Sequence, residues 1–230
     1  MSANHAAFNL IFRFVENYIS PIAGRISSQR HVMAIRDGFI SAMPFMIVGS
    51  FLLVFAYPPF SPDTTWGFAR AWLDLAKEFE GRILTPFDMT MGIMSIYICA
   101  AISYNLGKHY EKSNQLDPFM CAMLSIMAFL LIAAPKTNGT LPVDSLGGTG
   151  IFTAILVAIY CVEMMRFLKA HNIGIRLPDQ VPPMIKNSFD LLIPVLVVVL
   201  TLYPLSLFIQ HHFDMLIPQA IMAIFKPLVS

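Results

Sequence analysis

The stretch GFISAMPFMIVGSFLLVFAY, residues 38–57, runs for twenty residues without a charge. At the helical rise of about 1.5 Å per residue it reaches roughly 30 Å, the thickness of a bilayer's hydrocarbon core. It reads as a membrane span. Just before it stand Arg25, Arg30, His31, Arg36 and Asp37, a charged threshold of the kind retained on the cytoplasmic side. The first span therefore runs from inside to outside. Pro44 leaves the carbonyl of Ile40 without its helical donor, so a bend is expected, supported by packing or by the Ser41 hydroxyl. Gly49 and Ser50 leave room for another helix to approach closely.

Composition extends this reading to the whole chain. Hydrophobic residues make up 57% of the 230, charged ones 13%, and the mean hydropathy is +0.66, a balance that fits a polytopic helical membrane protein and not a water-soluble domain. No cleavable signal peptide is expected, because residues 1–37 are mixed and amphipathic. A net charge of +1 without a long basic run excludes nucleic acid as a partner class. Cys99, Cys121 and Cys161 each sit in an apolar run without CxxC spacing. They read as small packing residues, with no metal or redox role. His211 and His212 are adjacent and point about 100° apart on a helix, which suits the end of a span better than a chelate.

Residues 8–22 place Phe8, Ile11, Phe12, Val15, Ile19 and Ile22 on one stripe, an amphipathic helix lying on the membrane surface or against other spans. After Tyr57 the sequence PPFSPD stops the first helix. Residues 66–83 then set Trp66, Ala69, Trp72, Leu73, Ala76, Phe79 and Ile83 against Arg70, Asp74, Lys77 and Glu78. That pattern predicts an interfacial helix on the outer side, and its tryptophans admit a sugar-stacking platform as the alternative. Four more spans are predicted at 89–107, 118–134, 146–165 and 189–209, the last bent by Pro194 and Pro204. Gly147, Gly148 and Gly150 permit a sharp turn into the fourth. Glu163 lies near that span's inner end, where it can reach water or pair with Arg166; nearer the membrane centre it would be a functional candidate. The connection that follows contains LPDQVPP, whose prolines dictate an extended, kinked path. The final residues form an amphipathic helix with Asp214 as its N-cap and Pro218 in its first turn.

The fold class is therefore all-α, with about five transmembrane helices at 38–57, 89–107, 118–134, 146–165 and 189–209 plus amphipathic interfacial helices. With the amino terminus inside, 10 of the 15 Lys and Arg residues fall in inner segments, as the positive-inside rule requires.

Two long stretches, RHVMAIRDGFISAMPFMIVGSF at 30–51 and LPDQVPPMIKNSFDLLIP at 177–194, resemble enzyme IIC, the membrane component of bacterial phosphotransferase-system permeases of the lactose, cellobiose and diacetylchitobiose family. LGGTGIFTAILVAIY at 146–160 is similar to the same family's fourth-span start. The resemblance covers almost the whole chain and implies its amino-terminal half: a scaffold and dimerisation unit in the bacterial cytoplasmic membrane. It further implies a homodimer that imports a disaccharide, cellobiose or a related β-glucoside, while a phosphorylated IIB partner phosphorylates the sugar. The family's histidine and glutamate lie in its other half, so no catalytic residue and no cofactor is carried over. Arg30, Arg36, Arg166, Lys169, Arg176 and Lys186 form the inner basic connections and are the candidates for docking IIB; orientation of the spans and attraction to anionic lipid account for the same cations without a partner. The alternative to a transporter is a non-transporting membrane scaffold, or remnant half-permease, that dimerises.

Overall fold

The computed structural model describes residues 27–135, 139–175, 180, 182, 185 and 189–229, with side chains up to residue 224. The amphipathic stretch at 8–22, Arg25 and most of LPDQVPP, with Arg176 and Lys186, lie outside the described residues. The described elements are α1 (Arg30–Ala56), α2 (Gly67–Asp88), α3 (Met94–Asn114), α4 (Pro118–Ala133), a 3-10 turn (Gly148–Gly150), α5 (Ile151–Ala170), α6 (Leu192–Phe213) and α7 (Ile217–Val229). No strand occurs among the described residues.

Helix α3 is the hub: α1, α4 and α5 all pack on it, while α2 packs on α1, and α6 on α4 and α5. The sequence of α3 explains that position. Ser95, Cys99, Ser103 and Gly107 are buried with Ile98, Ile102, Leu106 and Tyr110, so short side chains alternate with long ones and let neighbours approach from several sides. Ser103 returns its hydroxyl to the Cys99 carbonyl at 2.7 Å, which satisfies it inside an apolar core. In a bilayer such contacts hold helices together through packing and hydrogen bonds, since lipid tails are as apolar as leucine. The cysteines fill this core as packing residues: Cys99, Cys121 and Cys161 are all buried and free.

Two glycines let α1 approach its neighbours closely, Gly38 at α3 and Gly49 at the turn before it. A Cβ at Gly38 would lie 2.4 Å from Ile102 Cγ1 and 2.9 Å from its backbone nitrogen, and one at Gly49 would lie 2.4 Å from Met91 Cγ. Ser50 points outward and bonds the Ile47 carbonyl of its own helix. Ser41 likewise donates to Asp37 at 2.8 Å, so its hydroxyl does not replace the bond that Pro44 removes at Ile40. The opposite faces of α1 and α6 leave Ile40, Ile47, Phe51, Leu196, Leu200 and Phe208 exposed, far more apolar surface than a water-soluble monomer carries.

Helices α1, α5 with its preceding 3-10 turn, and α6 are long and apolar enough to cross a membrane; α4 is apolar but has only 16 residues. Predicted boundaries shift for physical reasons. The second apolar segment does not begin at Met89: α2 continues to Asp88, beyond Pro86, and Thr90, Met91 and Gly92 all donate to the Phe87 carbonyl in a turn. Helix α3 then extends past Gly107 to Asn114 because Tyr110, 2% exposed, anchors its last turns. Residues 146–150 form the sharp turn into α5 that Gly147, Gly148 and Gly150 permit, held to α3 by the Ser95 amide and hydroxyl, which both donate to the Leu146 carbonyl. Pro194 falls in the first turn of α6, where no donor is needed, so Pro204 is the interior proline. Asp214 is not an N-cap. It ends α6 in the left-handed region at φ 51°, and the Leu216 amide is capped instead by the Gln219 side chain at 3.0 Å.

Candidate functional site

The polar side chains that the bundle brings together are gathered at the end where α1 starts and where α3 and α5 finish. Glu163, three residues before Arg166 on α5, accepts from Arg166 Nη1 at 2.7 Å, the helical pairing open to it from sequence alone. Its other oxygen takes the Tyr110 hydroxyl of α3 at 2.7 Å and lies 2.9 Å from His31 Nε2 of α1. One carboxylate thus joins three helices. Tyr110 is in turn flanked by two guanidinium groups, Arg166 at 4.7 Å and Arg30 at 5.4 Å from its ring centroid, a cation–π arrangement on a buried ring. Tyr110 lies beyond the apolar stretch that ends at Gly107. Burial, and then its bond to Glu163, pushes its hydroxyl above the ordinary phenol range, so it remains a donor at neutral pH.

One turn further along α5, Lys169 Nζ donates to the Gln115 carbonyl at 2.6 Å and faces Asp190 at 3.4 Å. Gln115, at φ 53°, terminates α3, and Lys169 supplies a cation where the helix leaves carbonyls unpaired. A cavity of about 370 Å³ opens beside this pair, lined by Asn114, Leu168, Asn172 and Ile175 among others.

Of the predicted docking cations, Arg30 and Arg166 therefore meet around Tyr110, and Lys169 lies one turn beyond. Arg36 stands apart, exposed and paired with its neighbour Asp37 at 2.8 Å. Arg166 and Lys169 already face carboxylates within the chain. His31, Tyr110 and Asp190 were not singled out as site residues by sequence, because their partners lie 132, 53 and 21 positions away; only the turn-spaced Glu163 and Arg166 carried a local signal. His211 and His212 occupy the last turn of α6 with perpendicular rings 5.2 Å apart, in keeping with a helix end. No group of three metal-ligating side chains occurs among the described residues.

The family model described as "Phosphotransferase system, EIIC" matches residues 36–228. The chain belongs to this family. This EIIC chain is 35% identical over 206 residues to a cellobiose-specific EIIC component of Geobacillus stearothermophilus, covering 81% of the chain and 43% of the relative. It is 30% identical to the lichenan permease IIC component of Bacillus subtilis strain 168, covering 88% and 46%, and 32% identical to a lactose-specific EIICB component of Streptococcus mutans, covering 91% and 36%. Among solved structures it is similar to the transporter ChbC, the IIC component of the N,N'-diacetylchitobiose-specific phosphotransferase system, with a TM-score of 0.77, 31% identity and coverage of 94% of this chain and 51% of that one. The EIIC chain thus spans about half the length, or less, of these relatives. Family, all-helical fold and apolar helices together identify a helical membrane protein.

Proposed function

We propose that this chain is the amino-terminal, stationary scaffold of a sugar permease that imports a disaccharide, cellobiose or a related β-glucoside, coupled to phosphorylation by a IIB partner. The observation that carries the reading is the continuous match of residues 36–228 to the EIIC family, with relatives named for cellobiose, lichenan and lactose. The charge count favours an amino terminus in the cytoplasm, five crossings, and the His31–Tyr110–Glu163–Arg166 cluster at the inner surface of the bacterial cytoplasmic membrane. In that setting the cluster holds α1, α3 and α5 together while a mobile part carries the sugar past them. Phosphorylation adds charge that hydrocarbon excludes, so the product does not return. The working unit is a homodimer.

Uptake of labelled cellobiose, lactose and diacetylchitobiose into vesicles containing the complete protein, IIB and a phosphoryl donor tests this reading. Cellobiose phosphate should accumulate inside; failure of all three sugars to accumulate overturns it. IIB docking is assigned to the inner basic residues Arg30, Arg36, Arg166, Lys169, Arg176 and Lys186. Charge reversal at Arg176 and Lys186 should weaken IIB binding, and an unchanged affinity removes the docking assignment.

A further inference from the structure

The opposite end of α1 holds a second cavity, of about 660 Å³, between Tyr57 and the first turns of α2, within the roughly 300–1,000 Å³ range of small-ligand sites. Its polar lining is Tyr57, Arg70, Asp74, Lys77 and Glu80. Two cations and two carboxylates leave no net charge to hold an ion. They offer donors and acceptors side by side, the pattern that suits hydroxyl groups, each of which donates and accepts. The site is also held open by its surroundings. Prolines in the turn after α1 restrict its backbone, Arg70 Nε donates to the Thr64 carbonyl at 3.0 Å, and the Tyr57 hydroxyl donates to Glu80 at 2.9 Å. Beside it Phe60, Trp66 and Trp72 form an aromatic cluster with centroids 5.7–5.8 Å apart, and the Trp72 indole donates to the Phe55 carbonyl at 3.3 Å.

We infer that this cavity binds an uncharged saccharide, a surface subsite at the end of the bundle away from the Glu163 cluster. The choice of a disaccharide as ligand rests on the permease reading; the polar lining alone points to a neutral polyhydroxylated molecule. Trp66 and Trp72 are the two tryptophans of the chain, so intrinsic fluorescence reports on this end of the molecule alone.

The test titrates the full chain in lipid nanodiscs with cellobiose, and with glycine betaine at matched osmolarity, while following tryptophan emission. A saturable change with cellobiose only, its midpoint raised about tenfold by Asp74→Asn and by Lys77→Gln, supports the site. Both side chains are exposed, so neither variant endangers folding. A linear change, an equal response to betaine, or an unchanged midpoint in both variants overturns it. Cellobiose uptake by the complete protein without this fluorescence response overturns the cavity and leaves the permease standing; a response without uptake does the reverse.

Discussion

The two ends of α1 use the same kinds of residue to opposite effect. At Arg30 and His31 the charges are drawn inward: Glu163 and Arg166 of α5 and Tyr110 of α3 use one another and His31 as partners. At Tyr57 the charges of α2 stand around an open cavity, and only Tyr57 and Glu80 meet across it. The difference follows from packing. Helix α3 lies against α1 and α5 and presents a buried tyrosine to both, whereas α2, among the described elements, packs chiefly on α1 and keeps a polar face free. Where three helices converge, polar groups become a joint; where one helix leans on another, they remain available to a ligand.

The largest expected effect breaks what both ends share. Gly38→Leu would drive a side chain into the Ile102 backbone and force α1 away from α3, at a cost of about 3 kcal/mol or more. Loss of folded protein on size-exclusion in mild detergent, or a large fall in melting temperature, checks it; a wild-type melting curve would show that α1 is not pinned at this crossing. Next comes the joint itself. Glu163→Ala takes from His31, Tyr110 and Arg166 the carboxylate they share and should cost about 2 kcal/mol, reduced from a fully buried case because the carboxylate is partly exposed. Tyr110→Phe keeps the ring between Arg30 and Arg166 and loses only the hydroxyl, for about 1 kcal/mol. Thermal unfolding of the two variants should rank in that order, and equal losses would mean that the carboxylate contributes only through its bond to the Tyr110 hydroxyl. The smallest effect sharpens the contrast. Asp74→Asn and Lys77→Gln should leave the melting temperature at the wild-type value; a clear fall would place those residues in a structural network like the one at Glu163.

Much of this was legible from residues close in sequence. The uncharged run at 38–57 announces a crossing helix because every polar group of a lipid-facing segment must be satisfied within it, and Arg30–Ala56 is such a helix. Glu163 and Arg166 stand one turn apart, so their pairing could be written down without a fold. Element boundaries were less legible. Hydropathy does not distinguish an apolar turn from an apolar helix, so the turn that follows Asp88 was read as the beginning of a span and the polar end of α3 was cut short, whereas the glycines at 147, 148 and 150 did announce the turn into α5. The cap assigned to Asp214 failed because an aspartate before a helix resembles an aspartate ending the previous one; only φ tells them apart.

The amino-acid sequence by itself determined that this is an all-helical membrane chain, because apolar run length and charge placement act locally and along the chain, and its long motifs carried the resemblance to EIIC that the family match at residues 36–228 bears out. The tertiary structure alone decided that α3 is the hub, that one carboxylate joins three helices, and that α2 leaves a neutral polar cavity at the far end of α1. Those features depend on which side chains separated by tens of residues share a few ångströms of space, and that is fixed by helix packing and by glycines placed where backbones must touch.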